Sequence, residues 1–231
     1  MTRRNDFAAF IQDRFGGYRI DLLTNDDASN KVPTWWLEIN TATGKDAINA
    51  ALNHWRPLVG NLLPHTLTYI ERNGIDVFIA QAIPVGDQPE KFFLIYALED
   101  PDDSSSFQAR FGPLPAAEGA LPRYWTNLPP QLQRFYLTVH DGFSDAPTGA
   151  GLHSAEGFVA LSEFGDQDDY EFSTPEHAPN IENLIEIGGD GYGGALYVDI
   201  SNNQQHAWDW YEGNLQSKEL WQALDTLLVA E

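Results

Sequence analysis

Residues 188–194 read GGDGYGG, and the segment immediately after them decides which kind of sheet the chain can build. Gly189, Gly191 and Gly194 have the G-x-G-x-x-G spacing of a dinucleotide fingerprint. That fingerprint works only when it opens a helix, because the helix N-terminus holds the pyrophosphate. Here the next residues, ALYVDI at 195–200, have the alternating pattern of a strand, and a strand candidate precedes the glycines at Leu184–Ile187. The lysine of a phosphate-binding loop is absent as well. The reading is a tight hairpin with glycines at positive φ, which calls for antiparallel pairing around it.

The rest of the composition narrows the class. The chain has 231 residues, with 13 Lys+Arg against 34 Asp+Glu, a net charge of −21. Hydrophobic residues are 42% and aromatics 13%, too many for a disordered acidic tail. A chain of this length buries enough surface to need no covalent staple. Nucleic acids and anionic membranes call for a basic face, so neither is expected as a partner. A basic protein partner fits the charge, and so does solubility alone. There are no cysteines, which excludes disulfides, zinc–thiolate sites and thiol catalysis, and fits a reducing compartment. Two N-terminal arginines do not lead into an apolar run, since Asn5, Asp6, Gln12 and Asp13 interrupt it. No secretory signal or membrane span of ~18–20 apolar residues is read, and the expectation is a soluble cytoplasmic protein.

The charge is uneven. Residues 1–120 carry 10 basic and 16 acidic side chains, whereas residues 121–231 carry 3 and 18. Between the halves, PDDSSSFQARFGPLPAAEGALP (101–122) has a linker-like composition, which puts a domain boundary near residue 120. In the first half, Phe7, Phe10, Ile11 and Phe15 predict a helix stopped at Gly16-Gly17. Trp35–Asn40 alternates like a strand. A helix over 45–56 is predicted, capped by Thr43, facing Ile48, Leu52 and Trp55 inward and ended by Pro57. Leu67–Arg72 and Ile75–Ala82 read as a hairpin about Asn73-Gly74, with a third strand at Phe92–Leu98. In the second half, Pro129-Pro130 starts a helix through Val139, stopped at Asp141-Gly142. A short strand or turn at 157–162 precedes an acidic loop or ragged helix at 163–182. Ala207–Tyr211 is a strand. Ser217 caps a last helix with Leu220, Leu224, Leu227 and Leu228 inward and Glu219 and Asp225 outward. The fold class expected is α+β: an antiparallel sheet flanked by helices, with residues 1–120 as an added domain or an extension of the same sheet.

Chemical motifs are sparse. An EF-hand loop begun at Asp166 would put Glu171 and His177 where a glycine and a bidentate Glu belong, so the pattern fails. Six histidines are present without H-x-x-H or H-E-x-x-H spacing, and no metal site or cofactor is expected. His140 adjoins a helix end, where a charged imidazole is favourable. There is no G-x-S-x-G elbow, and no pair of carboxylates is singled out for acid–base chemistry. The expectation is a protein without catalytic residues. Two features stand out. One is the acidic group Asp166, Asp168, Asp169 and Glu171. The other is the run AWDWY, with Trp208 and Trp210 on one strand face and Asp209 and Tyr211 on the other.

The order of features in the second half resembles the SUKH (Smi/Knr-like) superfamily. LPPQLQRFYLTVHDGF is similar to its opening helix, LSEF (161–164) to the element before its acidic loop, and IEIGGDGYGGALYVDIS to its central hairpin. AWDWYEGN and the Leu-rich helix from Ser217 resemble its closing strand and helix. The resemblance covers residues 121–231; residues 1–120 match no family. It implies a non-enzymatic α+β module. Bacterial members are immunity proteins that block the toxin domain of a polymorphic or contact-dependent system, and eukaryotic relatives are signalling scaffolds. On this reading a cognate toxin domain, basic and nuclease-like among the possibilities, is the partner. Asp166, Asp168, Asp169 and Glu171 steer and pair with its cations, while Trp208, Trp210 and Tyr211 anchor it. A regulatory adaptor on the same module is the alternative. An enzyme would require a deep pocket with a carboxylate and a histidine within hydrogen-bond reach.

Overall fold

A computed structural model describes residues 3–12, 15, 17–86, 89–103, 105–146, 149–201 and 206–229. Its elements in chain order are α1 (Arg3–Ile11), β1 (Tyr18–Leu22), α2 (Asn25–Ala28), α3 (Thr34–Thr41), α4 (Lys45–Val59), α5 (Pro64–Asn73), β2 (Gly74–Pro84), β3 (Lys91–Glu99) and β4 (Phe107–Pro113). They continue as α6 (Pro130–Thr138), β5 (Phe143–Ser144), β6 (Gly151–Leu152), β7 (Val159–Ala160), β8 (Glu171–Phe172), β9 (Leu184–Gly189), β10 (Ala195–Asp199), β11 (His206–Tyr211), β12 (Asn214–Glu219) and α7 (Leu220–Leu227), with single 3-10 turns between. The strands form one sheet in the order β1-β2-β3-β4-β5-β6-β9-β10-β11-β12-β8, with β7 paired to β9. Pairing is antiparallel except between β8 and β12. The protein is of the α+β class. No helix among the described residues is long and apolar enough to cross a membrane.

Side-chain alternation divides the sheet into two faces. On one, Val77, Ile79, Leu94, Tyr96 and Leu98 share a core with Trp36, Leu52, Trp55, Ile70 and Phe135, and also with Ile185, Val198, Leu220 and Leu224. Helices α3 to α7 all contribute to it. The opposite face is covered twice. At one end α1 places Phe7 and Ile11 against Phe78, Phe93, Ile95 and Phe111. At the other, Leu161 and Ile181 pack on Leu184, Tyr197, Trp208 and Leu215. The main core and the sheet both run across residue 120. The strand pairing is therefore that of an extension of one sheet, and the linker-like stretch 101–122 contains β4, with Phe111 fully buried.

Several expected elements are corrected. Trp35–Asn40 lies in helix α3, not in a strand: Pro33 precedes the first turn, and the buried residues are Trp36 and Ile39, three apart. Leu67–Arg72 belongs to α5, which opens on Pro64 and buries Thr66, Leu67 and Ile70; Asn73-Gly74 joins this helix to β2 and is not a hairpin turn. Thr43 does not cap α4, whose cap residue is Gly44, and Pro57 lies inside that helix, which continues to the buried Val59. Ser217 lies in β12. The cap of α7 is Glu219, whose carboxylate accepts from the Gln222 N–H at 2.7 Å. Asp225 points inward, 3% exposed. The stop expected at Gly16 lies outside the described residues.

The glycine-rich turn is a hairpin, as its sequence context demands. Gly191 and Gly193 have φ of +77° and +104°. The Asp190 Oδ1 atom fixes the turn by accepting from the Tyr192 and Gly194 N–H groups, each at 2.8 Å. Strands β9 and β10 leave it in antiparallel register, Ala195 opposite Gly189.

Candidate functional site

The acidic segment between β7 and β9 turns Leu161, Tyr170, Phe172 and Ile181 toward the sheet and its carboxylates toward solvent, where Phe164 is exposed as well. Asp166, Asp168, Asp169 and Glu171 lie on its outer side, while Tyr170 and Phe172 are part-buried against the Trp208 cluster. A 3-10 turn at Gln167–Asp169 holds the acids together, and the Asp169 carboxylate accepts from the Asp166 N–H at 2.8 Å. The Gln167 side-chain oxygen accepts from the Ile181 N–H at 3.1 Å, tying the two ends of the segment. β8 adds two residues beside β12, with Asn214 opposite Glu171 and Leu215 opposite Phe172. Residues 161–183 hold seven Asp and Glu and no Lys or Arg. Of the three cationic residues in 121–231, Arg123 lies 3.4 Å from Glu163 at the start of this segment.

The aromatic anchors separate. Trp208 is 3% exposed and meets Phe172 edge-on at 5.3 Å, so it belongs to the core and is not available as a partner contact. Trp210 is part-buried in the same cluster. Tyr211 is 55% exposed. Strand alternation puts it on the face opposite Trp208 and Trp210, away from the side that the acidic segment covers. The sequence pattern defines the two faces of β11 but does not say which one another segment covers.

The histidines take structural positions. His140 is fully buried, and its Nδ1 lies 3.0 Å from the Pro113 carbonyl oxygen. A carbonyl only accepts, so Nδ1 carries the proton and Nε2 is an acceptor. The Tyr96 hydroxyl then donates to Nε2 at 2.9 Å and accepts from the Trp55 indole N–H at 3.0 Å. Each polar atom of this buried chain has a partner of the right kind. Burial lowers the His140 pKa to about 3, so the charged imidazole expected at the helix end is replaced by a neutral ring. That ring lies so close to the β4 backbone that a Cβ on Gly112 would stand 2.5 Å from it.

Three other histidines approach carboxylates, one of them His177, exposed in the acidic segment with its Nδ1 3.4 Å from Glu176. His153 Nδ1 is 3.6 Å from Glu186, beyond hydrogen-bond distance, and Glu186 accepts from the Tyr197 hydroxyl at 3.0 Å. Burial lowers the His153 pKa. His65 Nδ1 is 3.0 Å from Asp225 in an open groove between α5, α6 and α7. That carboxylate also accepts from the His65 and Thr66 N–H groups at 2.9 and 2.7 Å, so it serves as the cap of α5. No group of three His, Asp or Glu side chains suited to a metal ion occurs among the described residues.

A second feature escapes the sequence: a half-enclosed cavity of about 280 Å3 between β4, α1 and the glycine hairpin, whose lining includes Asp145 and Asp190. These carboxylates are 45 residues apart and meet through the sheet order, for which the sequence carries no local signal. No family model, curated protein or solved structure matches the chain.

Proposed function

We propose that the chain is a non-catalytic binding protein of the immunity class, which neutralises a basic toxin domain by covering its active site. The observation that carries this reading is the exposed carboxylate group at Asp166, Asp168, Asp169 and Glu171, held on a turn that is anchored to the sheet by Tyr170 and Phe172. Carboxylates fixed on a rigid support keep their field oriented before contact, which raises encounter rates with a basic surface. The resemblance of residues 121–231 to SUKH proteins supports the same reading. Trp208 supports the acidic surface from beneath, and Tyr211, exposed on the other face of β11 beside the β11–β12 turn, supplies an aromatic contact where the partner reaches around that turn.

The test is co-purification. The chain is expressed with the C-terminal domain of the protein encoded immediately beside it, at moderate salt. A stable complex, with loss of the neighbour's toxicity, is expected. A neighbour that is harmless alone and forms no complex overturns the proposal and favours the adaptor reading.

A further inference from the structure

One row of register partners crosses five strands at the same end of the sheet. Gly189 faces Ala195, Ala195 faces Trp210, Trp210 faces Leu215 and Leu215 faces Phe172. Three connections therefore emerge side by side beyond this row: the glycine turn after β9, the turn between β11 and β12, and the residues that lead into β8. Four strand spacings of about 4.8 Å make this rim about 19 Å wide. Two of the connections carry a tyrosine into solvent. Tyr192 is 85% exposed and Tyr211 55%, and among the described residues only Val85 and Phe164 are other large apolar side chains left so open.

Both tyrosines stand on stiff supports. The Tyr192 N–H is held by Asp190, and the glycine turn lies so close to its neighbour that a Cβ on Gly191 would stand 3.1 Å from the Ala150 Cβ. Tyr211 faces Asn214 across a two-residue turn whose Glu212 and Gly213 have φ of +50° and +86°, the pair of positive values that matches the twist of a hairpin. The rim is also uniformly acidic: residues 166–171, 190–194 and 211–214 hold six Asp and Glu and no Lys or Arg. In the row Tyr211↔Asn214↔Glu171, Glu171 shares the face of Tyr211, whereas Asp168 and Asp169 belong to the segment that covers the Trp208 face. Tyrosines and carboxylates from both faces thus meet only across the end of the sheet.

We infer that this rim, with Tyr192 and Tyr211 as its anchors, is the surface on which an arginine-rich face of a protein partner docks, an inference that rests on the toxin-binding reading for the identity of that protein. Tyrosine brings a large contact area at the cost of only two side-chain torsions, and a fixed turn removes the backbone cost as well. A guanidinium stacks on a phenol ring while its N–H groups reach a carboxylate beside it, so alternating tyrosines and acids suit arginine better than either residue type alone. Tyrosine and arginine are also among the residues that dominate the energy of protein interfaces.

The experiment titrates the 15N-labelled full chain with penta-arginine amide at low salt. Saturable shifts are expected at the amides of Asp169, Glu171, Tyr192 and Glu212, with smaller ones at Asp102 and Asp103, exposed acids on the turn after β3 that have no exposed aromatic beside them. Replacing Tyr192 and Tyr211 together by Ala should weaken this binding by about fivefold or more, with the urea midpoint unchanged. Shifts of equal size and midpoint at Asp102 and Asp103 overturn the inference, and that comparison needs no variant. In the complex with the toxin domain, the same double variant is expected to weaken binding by about tenfold or more. A complex that the double variant leaves unchanged removes the rim and leaves the toxin-binding reading standing. Rim-selective binding of the peptide by a chain that forms no complex with the toxin domain keeps the rim and removes that reading.

Discussion

The Asp225 carboxylate, on α7, accepts from both the backbone N–H and the hydroxyl of Thr66, each at 2.7 Å, and so caps a helix 159 residues earlier in the chain. Leu63, at the cap position of α5, offers no side-chain acceptor, so Asp225 takes that role from another helix. Its charge also suits the positive end of the α5 dipole. Replacing Asp225 with Ala removes a cap and leaves buried donors unpaired, so a loss of about 2–3 kcal/mol is expected. Asp225→Asn should recover part of it, because the amide oxygen still accepts from Thr66 while its NH2 opposes the His65 N–H. Urea midpoints of the three proteins, at equal slope, measure both effects.

His140 makes stability fall with acid. Its pKa is about 3 in the folded protein, against about 6.5 in an unfolded chain. Above pH 6.5 both states are neutral at this site and the contribution is complete. Below it, the unfolded chain binds a proton that the folded one refuses, so stability falls by about 1.4 kcal/mol per pH unit. His54 and His153, also lowered by burial, act in the same direction. Asp76, Asp141 and Asp209 have raised values through burial, so they oppose the trend once the pH nears their own titration. Between pH 6.5 and 5, His140→Gln, which can keep both hydrogen bonds without titrating, should flatten the slope. An unchanged slope would show that His140 is protonated in the folded state.

Tyr96→Phe isolates the same buried chain at constant shape. It removes the donor to His140 and the acceptor for Trp55 together. Two buried polar atoms then lack partners, and a loss of about 2–4 kcal/mol is expected, with little change in the unfolding slope. A loss under about 0.5 kcal/mol would mean that water replaces the hydroxyl.

Trp208 and Tyr211 should behave oppositely. Trp208→Ala empties the centre of its cluster and should cost about 3–5 kcal/mol of stability. Tyr211→Ala, at an exposed position, should change stability by no more than about 0.5 kcal/mol and register only in partner affinity. Unfolding curves and binding titrations on the two variants separate these roles.

Charge reversal at Asp168 with Glu171 tests the steering surface without disturbing the turn, because Asp169 holds the Asp166 N–H. Association with the toxin domain should slow on the order of tenfold at low salt, with dissociation changed less. The difference should shrink at about 0.5 M salt, where the Debye length is only about 4 Å. An unchanged association rate at low salt would remove these residues from the interface.

The parts of this fold legible in the sequence are those governed by local chemistry. The glycine turn, β3, β9, β10 and α6 each carry their own start, stop or period. Trp35–Asn40 and Leu67–Arg72 mislead because six residues sample both a period of two and a period of 3.6; the prolines at 33 and 64 are the better signal. Of the candidate site, the acids are visible because an exposed carboxylate announces itself by composition alone. The difference between Trp208 and Tyr211 is hidden, since it depends on where the segment from 161 to 183 lies. Asp225 reads as a surface residue because its partners are remote in the chain, and Asp145 and Asp190 meet only through sheet order.

The Asp225–Thr66 cap also bears on the order of biosynthesis. Thr66 leaves the ribosome long before Asp225; at about 5–20 residues per second, the 159 residues between them leave α5 without its cap for about 8–32 s. The same interval leaves the β2–β3–β4 face waiting for the strands and helix that complete the main core. The native state is thus reachable only once α7 has been made, and a nascent chain stalled before α7 would present an incomplete core to chaperones and proteases.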